Sequence, residues 1–149
     1  PEQASGLMQE ALALAEKAAR EDEVPVGAVV FHEGRVIGRG YNRREGQHNP
    51  CSHAEIEAIL AATQSLQSWR LTDCTLVVTL EPCPMCLAAC QQARVARVLY
   101  GAVDPKGGAI SLGYKLHEDL RLNHRFEVRL VETADCGRVL KEFFSRKRS

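Results

Sequence analysis

The sequence predicts an α/β fold, a three-layer α/β/α sandwich around a mixed five-stranded sheet. Three observations predict it. Short β-branched runs alternate with stretches of helical periodicity after an opening hairpin, the pattern of a sheet covered by helices on both faces. Turn signals at Glu33-Gly34, Asn49-Pro50 and Asp104 through Gly108 separate those runs, and no Pro/Gly/Ser linker divides the chain. The length, 149 residues, suits one domain spanning 1–149, and 45% hydrophobic with 26% charged residues is ordinary globular usage.

The elements follow in order. Leu7, Ala11, Leu14, Ala15 and Ala18 recur at helical spacing, so roughly the first twenty residues read as a helix. Val24 to Phe31 reads as a strand that turns at Glu33-Gly34 into a second strand, Arg35 to Tyr41. Beyond Asn49-Pro50, His53 to Leu66 reads as a helix with Ile56, Ile59 and Leu60 on its apolar face. Thr75 to Leu80 is a strand, Pro84 to Arg94 a helix and Arg97 to Tyr100 a strand. An irregular stretch precedes a last strand, Phe126 to Val131, and a closing helix, Ala134 to Arg146. The β-α-β steps are expected to cross right-handed.

Nineteen Lys and Arg balance nineteen Asp and Glu, which excludes nucleic-acid binding through overall positive charge. The balance is uneven: Arg138 to Ser149 carries +4 and residues 1–137 carry −4. The longest apolar run, Val24 to Phe31, is far short of the roughly 18 residues of a membrane span. No charged-then-apolar leader precedes it, so a cytoplasmic, non-membrane protein is expected; the chain begins at Pro1 rather than Met, which leaves room for earlier residues. Six cysteines could form three disulfides, but that framework belongs to shorter secreted chains. In a reducing compartment, Cys83-Pro-Met-Cys86 points to metal or redox chemistry.

Three pieces carry the chemistry: His53-Ala-Glu55, Glu81-Pro-Cys83, and Cys83-x-x-Cys86. Cys83 and Cys86 are i,i+3 at a helix start and share a face. Pro84 fits the first helical position, and the positive helix end favours thiolates. If the sheet returns His53 to the same place, one His and two Cys give zinc three protein ligands and an open fourth position, the pattern of a catalytic site. Glu55 is then the candidate general base. Residues i and i+2 do not share a helix face, so His53 must stand at the helix entrance for both to reach one site. Taken alone, Ser52-His-Ala-Glu55 also fits a capping box, with Glu55 folded back on Ser52. Cys90 reads as a buried apolar cysteine, Cys51, Cys74 and Cys136 as packing residues, and His32, His48 and His117 as surface residues.

His53-x-Glu55 followed by Pro82-Cys83-x-x-Cys86 resembles the zinc deaminase signature. The sequence is similar to the cytidine deaminase-like superfamily, and most closely to its bacterial tRNA adenosine deaminases. The likeness runs from about Leu7 to Arg148, through Glu23 to Val29, Gly40 to Arg43, Val78 to Cys86, Tyr100 to Lys106, Asn123 to Arg125 and Phe143 to Arg146. It implies one Zn2+ per subunit on His53, Cys83 and Cys86, with Glu55 moving protons. It implies deamination of adenosine to inosine at the wobble position of a tRNA anticodon loop, by a homodimer whose active sites border the partner subunit. It suggests that Asn42 hydrogen-bonds the flipped base. The basic tail with Phe143 and Phe144 beside it makes Phe144 and Arg146 candidate RNA contacts, Lys106 is a candidate in a loop near the pocket, and Val26, Asn123 and His124 complete the candidate substrate contacts. Leu87-Ala-Ala-Cys90 and Cys51-Ser52 depart from the family's usual residues beside the site. Two other readings stay open: a free-base or nucleoside deaminase such as guanine deaminase, which shares Glu81 to Cys86, and a catalytically silent zinc module that binds RNA.

Overall fold

Strand β1 (Gly27–His32) pairs antiparallel with β2 (Arg35–Tyr41) on one side and with β3 (Thr75–Val78) on the other. β3 then pairs parallel with β4 (Arg97–Tyr100), and β4 parallel with β5 (Glu127–Leu130). The result is the mixed five-stranded sheet expected, in the order β2-β1-β3-β4-β5. The structure is a computed structural model, and it describes residues 2–148.

The register sorts side chains to two faces, because neighbours along a strand point oppositely. Val29, Val77 and Leu99 stand abreast and pack with Met8, Leu12, Cys136 and Val139 of α1 (Glu2–Arg20) and α5 (Ala134–Arg148). Ala28, Val78 and Tyr100, with Val30, Leu76 and Val98, meet α3 (Ala54–Leu66) and α4 (Pro84–Ala93) on the other face. Gly38 and Gly40 let α3 come close to β2: a Cβ on either would collide with the α3 backbone at Ala58 or Ala54. That approach fixes where α3 begins. Both α3 and α4 start beyond the C-terminal end of β3, so their N-termini converge there.

Several details differ from the sequence reading. β1 begins at Gly27 because Pro25 offers no N–H and Val26 bonds back to Val24. β3 ends at Val78, and residues 79–83 leave the sheet toward α4. A one-turn helix, α2 (Arg44–Gln47), was not expected. Leu60 is exposed although the helical pattern put it on the apolar face, and Cys51 is exposed although it was read as a packing residue. His117 is buried rather than superficial, its ring beside Phe126. The link between β4 and β5, residues 101–126, holds neither helix nor strand; irregular links this long are uncommon in domains and need anchors.

Candidate active site

The site begins at two helix entrances. His53 is the N-cap of α3 (φ −81, ψ 156) and Cys83 the N-cap of α4 (φ −73, ψ 170). His53 makes no side-chain cap bond to α3, and the Cys83 thiol turns to Cys86 one turn into α4. The His53 entrance is held from β2: Asn42 Oδ1 accepts the Ala54 N–H at 2.8 Å. Pro84 occupies the first turn of α4, where its missing N–H costs nothing. One turn on, Cys86 comes round to the same side.

His53 Nδ1 lies 3.4 Å from Cys86 Sγ and 3.6 Å from Cys83 Sγ. The three donor atoms all fall within 4.8 Å of one another. Tetrahedral zinc with ordinary Zn–N and Zn–S bonds separates N from S by about 3.6 Å. The distances and the donor set, one imidazole and two thiols, therefore fit a soft divalent cation. One of the two thiols, Cys83, is already polarised toward that use. A hydrogen bond from Cys86 pulls the Cys83 thiol down to about 4 against burial, and His53 adds to the pull. The same bond pushes Cys86 up, and the hydrogen bond to Cys83 raises His53.

Glu55 sits in the first turn of α3 and is buried, 4% exposed. The capping box does not form: Ser52 Oγ bonds Glu57 instead, at 3.1 Å, and Glu55 stays in the site. Burial, with the neighbouring Cys83 charge, pushes its carboxyl up to about 7. A carboxyl poised there exchanges protons readily near neutral pH.

A cleft of about 160 Å³ opens over the cluster, with Val26, Asn42, His53, Glu55, Cys83 and Asp104 among its lining. Asn42 has spent its oxygen on α3, so its Nδ2 is the donor left for a ligand. Val26 supplies an apolar wall. Lys106 is exposed on the loop that Asp104 begins. A larger groove of about 730 Å³ shares Val24, Asn42 and Arg44 with the cleft and reaches Phe143 and Lys147 of α5. Phe143 is buried and Phe144, edge-on to it, is exposed. The basic tail is partly answered: Lys147 pairs with Asp22 at 2.6 Å, and Arg138 with Asp135 and Glu142. Arg146 is exposed beside them.

Asn123 and His124 are not brought to the cluster of this chain. They precede β5, at the foot of the parallel strands, whereas the cluster lies at the head; α4 alone separates the two ends by about 15 Å. His124 is occupied there, Nε2 2.7 Å from the Val95 carbonyl and its ring stacked on Phe126. Two glutamates have site roles that the sequence reading missed. Glu23 accepts the N–H groups of Glu45 and Gly46 at 3.1 and 2.8 Å and so holds α2 against the groove. Glu81 ties residues 104–111 to the turn that presents Cys83. A carboxylate set between Leu80 and Pro82 was the available signal, since buried charge needs partners.

Known proteins share this architecture. The family profile of MafB19-like deaminases matches residues 2–148. A tRNA-specific adenosine deaminase of Streptococcus pyogenes serotype M1 is 43% identical over 148 residues, covering 99% of this chain and 86% of that protein. That of Bacillus subtilis is 44% identical over 142 residues, covering 95% and 88%. The chain belongs to the tRNA-specific adenosine deaminases. A structure from a study of A-to-I editing by tRNA:A34 deaminases at the wobble position of transfer RNA superposes with a TM-score of 0.86 at 40% identity, covering 91% of this chain and 99% of that one. A guanine deaminase of Bacillus subtilis superposes with a TM-score of 0.65 at 27% identity, covering 97% and 94%. In this deaminase the His/Cys/Cys group and Glu55 thus stand in the cleft of a fold whose tRNA-editing relatives span nearly its whole length.

Proposed function

We propose that this chain, as a single deaminase domain, hydrolyses adenosine to inosine at the wobble position of tRNA anticodons, with one Zn2+ held by His53, Cys83 and Cys86. The observation that carries the reading is the buried Glu55 beside a three-donor metal cluster at the floor of a cleft. Zinc, when bound there, supplies the Lewis acidity that brings water ionisation into the neutral range. Glu55 takes a proton from the attacking water and gives it to N1 of the base; it then takes the remaining hydroxyl proton at C6 and passes it to the amino group, which leaves as ammonia. Adenosine and water in, inosine and ammonia out, the carboxylate ends as it began.

The other residues bind. Asn42 Nδ2 donates to the base, and Val26 packs on its face. Lys106, on the exposed loop that Asp104 begins, and Phe144 with Arg146, on α5 next to the groove-lining Phe143 and Lys147, meet the flanking RNA. An anticodon loop base is already partly unstacked, which lowers the cost of turning it into the cleft. We place Asn123 and His124 outside the cleft of their own subunit. A cytoplasmic homodimer accords with the tRNA-processing relatives; among the described residues no helix is long and apolar enough to cross a membrane.

The test is incubation of the zinc-loaded chain with a tRNA bearing adenosine at the wobble position, reading inosine directly, beside free guanine and cytidine. Inosine in the tRNA supports the reading; ammonia from guanine alone overturns it. Deleting residues 146–149 measures the tail's share, as weaker tRNA binding with a flatter salt dependence.

A further inference from the structure

One side chain holds the irregular β4–β5 link to the metal-bearing turn. Glu81 is buried, 3% exposed. Its Oε1 accepts the Asp104 N–H at 3.0 Å and the Ser111 hydroxyl at 2.7 Å, and its Oε2 accepts the Ser111 N–H at 2.8 Å. Gly108 lies so close that a Cβ there would collide with the carboxylate. Asp104, once seated, accepts the N–H groups of Lys106 and Gly107 at 3.2 and 3.1 Å. The Glu81 bonds thus fix the first residue of the turn that carries Lys106, and the last residue of the same segment.

A buried carboxylate is expected to have partners. The informative point is where they are. Among the described residues, every hydrogen-bond donor to the Glu81 carboxylate belongs to residues 104–111, a segment without helix or strand that faces the cleft through Asp104. We propose that Glu81 is a positioning residue: its carboxylate seats residues 104–111 as one wall of the cleft and so sets how tightly the RNA is held. The proposal rests on the function proposed above for its substrate. It assigns Glu81 no contact with the reacting atoms.

The consequence is for binding rather than for the chemical step. His53, Cys83 and Cys86 are placed by the starts of α3 and α4 and by the backbone of residues 79–83. That backbone has its own ties: Glu81 N–H to the Ala102 carbonyl at 2.9 Å, and Ala109 N–H to the Pro82 carbonyl at 2.8 Å. Neither uses the carboxylate. Glutamate is needed because three donors converge on two oxygens; an amide offers one acceptor, and its NH2 would confront an N–H.

The experiment compares Glu81→Gln, Ser111→Ala and the double variant, as zinc-loaded full chains, on an RNA stem-loop with adenosine at the wobble position. Glu81→Gln is expected to raise KM about tenfold with kcat within about twofold of wild type. Zinc remains stoichiometric, and amide exchange at Asp104 and Ser111 accelerates. Ser111→Ala raises KM less, and the double variant is no worse than Glu81→Gln, because the two act through each other. A fall in kcat at unchanged KM, loss of zinc, unchanged constants or simple additivity would each overturn the proposal. If Glu81→Gln does not fold, the exposed Ser111→Ala decides: a raised KM at constant kcat supports the seat, and no change removes it. The wild-type control separates this from the function itself. Should wild type act on guanine alone, the substrate reading falls, while the same KM and kcat comparison on guanine still tests the seat.

Discussion

Glu55 and Glu81 are both glutamates, both buried (4% and 3% exposed), and both line the same cleft, yet their surroundings differ in kind. Glu81 sits among neutral donors, two N–H groups and a hydroxyl, that converge on its carboxylate. Glu55 faces a thiol pair and an imidazole, and burial raises its carboxyl to about 7. One group is held still by its hydrogen bonds; the other is left able to gain and lose a proton. Burial alone therefore does not assign a role. The inventory of donors around the carboxylate does, and it separates a residue that moves protons from one that holds a wall.

The sharpest way to test the separation is to remove the metal. Chelation takes away what Glu55 works beside but leaves every bond of Glu81. Turnover should vanish, and the melting temperature should fall by several degrees as a bound cation stops favouring the folded state. Amide exchange at Asp104 and Ser111 should stay as it was. Faster exchange at those two amides on chelation would merge the two regions into one unit.

Next in size is Glu55→Gln. The amide keeps the volume and loses the proton, so kcat should drop by about 10²–10⁴ while zinc is retained. Stability should hold or rise, since a buried ionisable carboxyl is replaced by a neutral group. Turnover within a few-fold of wild type would end the assignment. Glu81→Ala should behave in the opposite way. It removes the acceptor of three part-buried hydrogen bonds, at about 1 kcal/mol each, so the unfolding free energy should fall by about 3 kcal/mol. A denaturant titration of the two variants side by side reads both directions.

The two glutamates were unequally legible in the sequence, and the reason is physical. The layers around them could be read from local periods: Leu76 and Val77 alternate between the two faces of the sheet, and α1 repeats its alanines at helical intervals. The metal group was legible because Cys83, Pro84 and Cys86 define a helix start locally. The entrance position of His53 followed from its two-residue offset to Glu55. What lay outside reach was set by distant chain. Glu81 meets Ser111 thirty positions away, through a link with no periodicity to read. Cys51 and Leu60 are exposed through the packing of whole elements, which a local pattern does not encode.

A third buried ionisable group completes the comparison with the smallest expected effect. His117 lies on the 101–126 link, with Nδ1 buried and unpartnered among the described residues, Nε2 3.9 Å from Glu118, and its ring 6.1 Å from Phe126. Burial lowers its pKa; Lys115 adds to the lowering and Glu118 opposes it. A histidine depressed in the fold stabilises above the ordinary imidazole pKa of about 6.5, and that stability is lost as pH falls toward the folded value, because the unfolded chain takes the proton first. His117→Phe should flatten the loss of stability on the acid side and leave turnover at neutral pH unchanged. Equal acid slopes in the two proteins would remove His117 from the account. A fall in turnover would show that a buried group outside the cleft still feeds the chemistry, and would break the separation between Glu55, which lines the cleft beside the His53 and Cys83 donors, and buried groups elsewhere.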